Sequence, residues 1–282
     1  MGGGGARGAA QVGVLLGLFE AGLEPPGWLV GSSVGALNAC LIAAHPSLAG
    51  AQMLRQVWLS RIAREVFRIH PLSSLLAGMR RQLSTLPSRN VVRLIEGVER
   101  ITGISDFEQL RLPLKVVATD LEAGVPNLFE TGPLLPALLA STAIPGVFPP
   151  VKIAGRDYLD GGIVDNTPIQ VAVAGGARRV LALHLMAGAE LTAAPRTWSE
   201  LITRTLQLSL HHRLLADFER LRSTAKLVIL APTLPMRASW QMDPAHVADV
   251  IERAQGATRR LLQQLGRGFW RRSAVHYLDL GL

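Results

Sequence analysis

Between Trp28 and Ala44 the chain passes through an apolar triplet, Trp28-Leu29-Val30, then a turn of small residues, Gly31-Ser32-Ser33-Val34-Gly35, and then an apolar segment broken only by Asn38. This stretch narrows the choice of fold more than any other. A short run that is apolar on both faces suits a strand buried inside a sheet, and the apolar segment directly after it suits a helix lying on that sheet. The alternation recurs: residues 114–119, 179–184 and 226–230 read as further buried strands. Residues 9–21, 34–44, 48–62, 91–101, 134–141, 169–174, 198–221 and 245–265 read as helices. The pattern predicts an α/β fold with a mainly parallel sheet sandwiched by helices. No repeat and no linker rich in Pro, Gly or Ser divides the chain, so residues 1–282 are expected to form one domain. Residues 69–87 are the least regular stretch and read as a lid or surface loop.

Gly31-x-Ser33-x-Gly35, set between a strand and a helix, fits a nucleophile elbow. The turn forces the serine into a strained backbone conformation that small neighbours tolerate, and the hydroxyl projects over a helix N-terminus. Only Ser33 is in register with both glycines. The plainer reading is a serine N-cap between two glycines. A serine hydroxyl needs a base. Of the seven histidines, His45, His70, His184, His211 and His212 lie where structural roles fit them, while His246 and His276 fall late enough in the chain to complete a Ser–acid–His triad. Asp160-Gly161-Gly162 offers a carboxylate on a loop able to approach another backbone closely, which would give a Ser–Asp dyad; taken alone, Asp-Gly also reads as an ordinary turn.

The run Gly2-Gly3-Gly4-Gly5-Ala6-Arg7-Gly8 contains G-x-G-x-x-G at Gly3, Gly5 and Gly8. A dinucleotide-binding loop would need a strand directly before it and an acidic residue about 20 positions later. The strand is missing, and Glu20 and Glu24 are the nearest acids. The alternative is an oxyanion hole built from backbone N–H groups of the loop.

Glycine loop, serine elbow and Asp-Gly-Gly occur together and in order, with Ala140-Ser141-Thr142-Ala143-Ile144-Pro145 and Phe148-Pro149-Pro150 ahead of the aspartate. Val117-Ala118-Thr119-Asp120 and Asn166-Thr167-Pro168 fit the same pattern. In these residues, which run from Gly2 to Pro168, the chain resembles the patatin-like phospholipase family. The resemblance implies a lipid acyl hydrolase of the carboxylic-ester class, with Ser33 as nucleophile and Asp160 as base. It implies an oxyanion hole from the Gly3–Gly5 backbone, with Arg7 holding that loop, and it implies neither metal nor other cofactor. Residues 169–282 would complete the same domain. A nucleotide-binding module, or a non-catalytic lipid-surface protein of the same fold, is the rival reading. One departure stands out. An apolar strand is expected immediately before the glycine loop, yet Met1 stands there, so an upstream β-rich segment is expected to anchor the loop.

Composition sets the outer limits. With 49% hydrophobic and 18% charged residues the chain is not disordered, and a single cysteine, Cys40, excludes a disulfide scaffold. Only 5% of residues are aromatic, too few for platforms that stack single-stranded nucleic acid. No secretory signal or run of about 20 apolar residues is evident, which predicts a cytoplasmic protein. The net charge is +8, and all but three of the 29 cations are arginine. Arg253, Arg259, Arg260, Arg267, Arg271 and Arg272 gather near Phe269 and Trp270, a combination suited to peripheral contact with an anionic membrane. The sequence carries no sign of oligomeric state.

Overall fold

In the computed structural model, residues 1–67, 88–187, 195, 197–234 and 244–282 are described; the expected lid at residues 69–87 lies outside them. A short 3-10 turn at Gly5–Arg7 leads into α1 (Gly8–Glu20), followed by β1 (Leu29–Ser32), α2 (Val34–Ala44), α3 (Leu48–Leu59), α4 (Arg61–Phe67) and α5 (Arg89–Thr102). Next come β2 (Leu114–Asp120), β3 (Val125–Phe129), α6 (Leu134–Ser141), β4 (Val151–Ile153), β5 (Arg156–Asp160), the single turn α7 (Gly162–Asp165) and α8 (Ile169–Ala174). The rest is β6 (Arg179–Leu183), α9 (Trp198–Leu221), β7 (Lys226–Thr233), α10 (Pro244–Leu265) and β8 (Ala274–Asp279).

The α/β reading holds. The sheet is more mixed than its sequence suggested, with β1–β2, β6–β7 and β7–β8 parallel and β2–β3, β2–β5 and β4–β5 antiparallel. The connections dictate this. Only Leu121–Gly124 separate β2 from β3, and only Ala154 and Gly155 separate β4 from β5; neither is long enough for the crossover that a parallel pair requires. The helix expected over residues 48–62 breaks at Ser60, whose Oγ accepts from the Ala63 N–H 3.3 Å away and starts α4.

Strand β7 shows why continuous apolar runs mark this sheet. Val228 and Leu230 face a core shared with α1, α2 and α10, while Leu227 and Ile229 face a second core with α8 and α9. Both faces are covered, so neither register position can be polar. Helix α1 is buried along nearly its whole length and packs on α10 so closely that a Cβ at Gly13 would strike the Ile251 carbonyl.

Two sheets result, β1-β2-β5-β4 with β3 on β2, and β6-β7-β8. Met1 to Gly3 stitch them together. The Met1 amine donates to the Val30 carbonyl at 2.6 Å and Ser32 N–H donates to the Met1 carbonyl at 3.1 Å, on the β1 side. Gly2 N–H donates to Leu183 O at 2.9 Å on the β6 side, and Gly3 N–H to Asn166 O at 3.0 Å. Met1 and Gly2 thus link the backbone of β1 to that of β6. Burial drives the Met1 amine down to about 5. Below this stitch the facing edges of β1 and β6 line a cavity of about 590 Å³, with Leu15 and Leu18 on one side and Ile169 and Ala172 on the other.

Candidate active site

The elbow is real in the backbone. Ser33 has φ 55° and ψ −133°, in the left-handed half of conformational space that costs a non-glycine residue on the order of 1–3 kcal/mol. The surrounding structure fixes it there. Ser33 N–H donates to Ser141 Oγ at 2.9 Å, and Ser141 Oγ in turn donates to the Val117 carbonyl at 2.6 Å. A Cβ at Gly31 would lie 2.6 Å from Ala36 Cα, so only glycine allows the turn to close.

Asp160 ends β5 opposite Ala118 of β2. Ser33 Oγ donates to Asp160 Oδ2 at 2.6 Å, and Gly162 N–H donates to Oδ1 at 2.7 Å. Both side chains are buried. Desolvation raises the Asp160 carboxyl to about 6 against the pull of its hydrogen bonds from Ser33 and Gly162. Gly161 has no room for a side chain, because a Cβ there would meet the Val117 carbonyl and Ser32 Oγ. The Asp-Gly-Gly loop can thus lie against β2 and present its carboxylate to the elbow.

The glycine loop lies against the same point. A Cβ on Gly3 would fall 2.9 Å from Ser33 Cβ, and one on Gly8 would fall 2.6 Å from Val34 Cγ2. Gly2 and Gly3 spend their N–H groups on Leu183 and Asn166, whereas the N–H groups of Gly4 and Gly5 meet no acceptor among the described residues. Arg7 is buried, with Nη1 donating to the Leu185 carbonyl at 3.2 Å and the guanidinium also held by the Gln207 side-chain oxygen on α9. Burial lowers it to about 10, so it remains a cation at neutral pH.

Behind the loop lies a polar network that the sequence reading did not single out. Gln11 Nε2 donates to Gly2 O at 2.8 Å, Asn38 Nδ2 donates to Gln11 Oε1 at 2.9 Å, and Trp58 Nε1 donates to Asn38 Oδ1 at 2.9 Å. Asn38 is the one polar residue in the otherwise apolar α2, which was the only local signal. Asn166 Nδ2 also reaches Gly3 O, at 3.4 Å.

Other candidates separate from this cluster. Among the described residues no histidine is hydrogen-bonded to Ser33 or Asp160; His184 is buried on Thr167 and His211, and His276 stands on β8. Asp120 binds the N–H groups of Glu122 and Ala123 and pairs with Arg156, closing the turn after β2. Cys40 is buried, its thiol pushed up to about 12. Phe269 is buried in the core, Trp270 is half-buried beneath Arg179, and Arg253 pairs with Asp249. An apolar pocket beginning at Val34 follows α2 past Leu37 and Leu41, walled by Trp58, Leu94 and Leu138. Among the described residues no helix is long and apolar enough to cross a membrane.

A base must be ionised to accept a proton, so if Asp160 takes the proton of Ser33 in cleaving an ester, kcat/KM should climb about tenfold per pH unit up to about 6 and level off above it. A profile still flat down to about pH 5 would exclude Asp160 as the titrating base.

Similarity to known proteins extends over most of the chain. An NTE family protein of Mycobacterium tuberculosis, itself uncharacterised, is 34% identical over 210 residues, covering 73% of this chain and 54% of that protein. The patatin-like phospholipase domain-containing protein 7 of Rattus norvegicus is 30% identical over 191 residues, 66% of this chain and 13% of that one. The chain spans about half the length of the mycobacterial relative. VipD from Legionella pneumophila superposes over 93% of this chain and 66% of its own, with a TM-score of 0.49 and 14% identity. The family model for patatin-like phospholipases matches residues 1–173, well over half of the sequence and every element that bears on Ser33 and Asp160; the chain belongs to the patatin-like phospholipase family.

Proposed function

We propose that this chain is a serine hydrolase of lipid acyl esters, of the phospholipase A or lysophospholipase type, working through a Ser33–Asp160 dyad. The observation that carries the reading is the 2.6 Å hydrogen bond from Ser33 Oγ to Asp160 Oδ2 on a strained elbow. Ser33 Oγ attacks the ester carbonyl carbon while its proton passes to Asp160. The oxyanion is met by the N–H groups of Gly4 and Gly5, which Arg7 supports through Leu185 and Gln207. Asp160 returns the proton to the departing alcohol, leaving an acyl ester on Ser33. A water molecule deprotonated by Asp160 then attacks that ester and releases the fatty acid. The pocket along α2 would take the acyl chain: Leu37, Leu41, Leu94 and Leu138 offer it no hydrogen-bonding competitor.

The experiment is hydrolysis of a panel of phospholipids, lysophospholipids and p-nitrophenyl esters, with a fluorophosphonate probe to mark the nucleophile. Release of fatty acid together with labelling at Ser33 is expected. If the probe labels another residue, or no ester in the panel is cleaved, the reading fails.

A further inference from the structure

Helix α9 is ordinary on its inner side. Gln207, Leu210, Leu214 and Phe218 follow a helical stripe and are buried, Gln207 against Arg7 and the other three against the fold. Its outer side changes character along its length. The C-terminal half is what water requires, with Arg220 paired to Asp217 and Arg222 to Glu219. The N-terminal half instead exposes Trp198, Leu201, Ile202, Leu206 and Leu208, each between 40% and 76% accessible. Five large apolar side chains within eleven residues form a contiguous outward patch, unlike the scattered single exposures of a soluble surface.

Charge says what that patch meets. From Trp198 to Ala216 the sequence contains Arg204 and Arg213 against one acid, Glu200, whose carboxylate accepts from the Thr197 N–H at the start of the helix. An apolar strip with a net cationic rim complements a bilayer that exposes acyl chains beneath anionic headgroups, with the indole of Trp198 suited to the interface between them. Position adds to this. Gln207, between Leu206 and Leu208, holds Arg7 from the inner side of the same turn, and Arg7 ends the 3-10 turn that follows Gly4. The patch therefore lies one helix thickness from the glycine loop.

We propose that the outer face of α9 from Trp198 to Leu208 is the surface by which the protein docks on an anionic lipid bilayer, bringing the glycine loop and Ser33 to the lipid. This rests on the lipid-hydrolase reading for its purpose but not for its test.

The test compares the full chain with an Ile202→Asn/Leu206→Asn double variant and an Arg204→Ser variant. It reads co-flotation with phosphatidylcholine vesicles, with and without phosphatidylglycerol, beside hydrolysis of dispersed p-nitrophenyl butyrate. Wild type should bind the anionic vesicles better, and added salt should weaken that preference. The double variant should lose tenfold or more of its vesicle binding while cleaving the dispersed ester at the wild-type rate. Arg204→Ser should reduce only the anionic preference. All three positions are solvent-facing or partly so, and an unchanged melting curve checks folding. Wild-type binding by the double variant, equal wild-type binding to neutral and anionic vesicles, or a wild-type dimer that the double variant converts to monomer would each overturn the proposal. Vesicle binding through α9 by a chain that hydrolyses no ester would leave this surface standing and remove the enzymatic reading instead.

Discussion

Replacing Ser33 by Ala should abolish ester hydrolysis, a loss on the order of 10⁴-fold or more, and Asp160→Asn should do the same. An asparagine fits the site and can still accept the Gly162 N–H through its oxygen. Its amide nitrogen, however, would face Ser33 Oγ as a donor, so the hydroxyl would have nowhere to send its proton. Because the two side chains act through one hydrogen bond, the double variant should be scarcely worse than either single one. Stability should move in the opposite direction for the aspartate. A carboxyl raised to about 6 when folded, from 3.8 when unfolded, binds more protons in the native state. Its ionisation therefore costs stability progressively as pH rises from about 4 to about 6, and the full cost, on the order of 2–3 kcal/mol, is present at neutral pH. Asp160→Asn should accordingly melt higher than wild type at pH 7 while being inactive. Two outcomes would sink the dyad: an active Asp160→Asn enzyme, or a folded His→Ala variant as inactive as Ser33→Ala.

The second large effect is expected at Gly35, the second glycine of the elbow. A Cβ there would collide with the carbonyl oxygens of Met1 and Gly2, which are backbone atoms held by Ser32, Leu183 and Gln11 and unable to swing aside as a side chain could. Gly35→Ala must push Met1 and Gly2 away from α2, carrying the glycine loop with them. Displacing oxyanion donors by about an ångström lowers turnover on the order of 100-fold, whereas overpacking alone destabilises by about 1–3 kcal/mol. The expected result is a folded protein with turnover down about 100-fold and KM nearly unchanged. Gly97→Ala is the control. It lies inside α5 with nothing within 4 Å of the added carbon, so it should gain about 0.5–1 kcal/mol and keep full activity. Wild-type turnover in Gly35→Ala would show that the loop does not depend on this contact.

What the sequence disclosed follows from the range of each interaction. The elbow, the Asp-Gly-Gly loop and the glycine run are local patterns, so Ser33, Asp160 and the loop could be named without knowing which strands are neighbours. Most helix bounds were also legible, because apolar periodicity is local, although the break at Ser60 was not. The partners of the site were not. Ser141 reaches Ser33 across 108 residues, Asn166 reaches Gly3 across 163, and Gln207 meets Arg7 from a helix that begins at Trp198. Ser141 and Asn166 stood in segments already noticed, yet nothing in those segments said which backbone they would hold. Strands β3, β4 and β5 escaped for a different reason. Pro126 and Asn127 in β3 and Arg156 and Asp157 in β5 lie at exposed or half-covered positions, so these strands lack the apolar signature that marked β2 and β7.

The stitch at Met1–Gly3 gives this fold an uneven durability. Within each sheet, strands are joined by continuous ladders; between the sheets, a few hydrogen bonds made by Met1 to Gly3, just ahead of the glycine loop, add to the apolar core that both sheets share. On mild heating these few hydrogen bonds are expected to open before either ladder does, because opening them alone exposes little apolar surface. Such a protein ages from its function outward. If the glycine loop serves catalysis as proposed, a stored sample would keep its circular dichroism and its size while losing turnover.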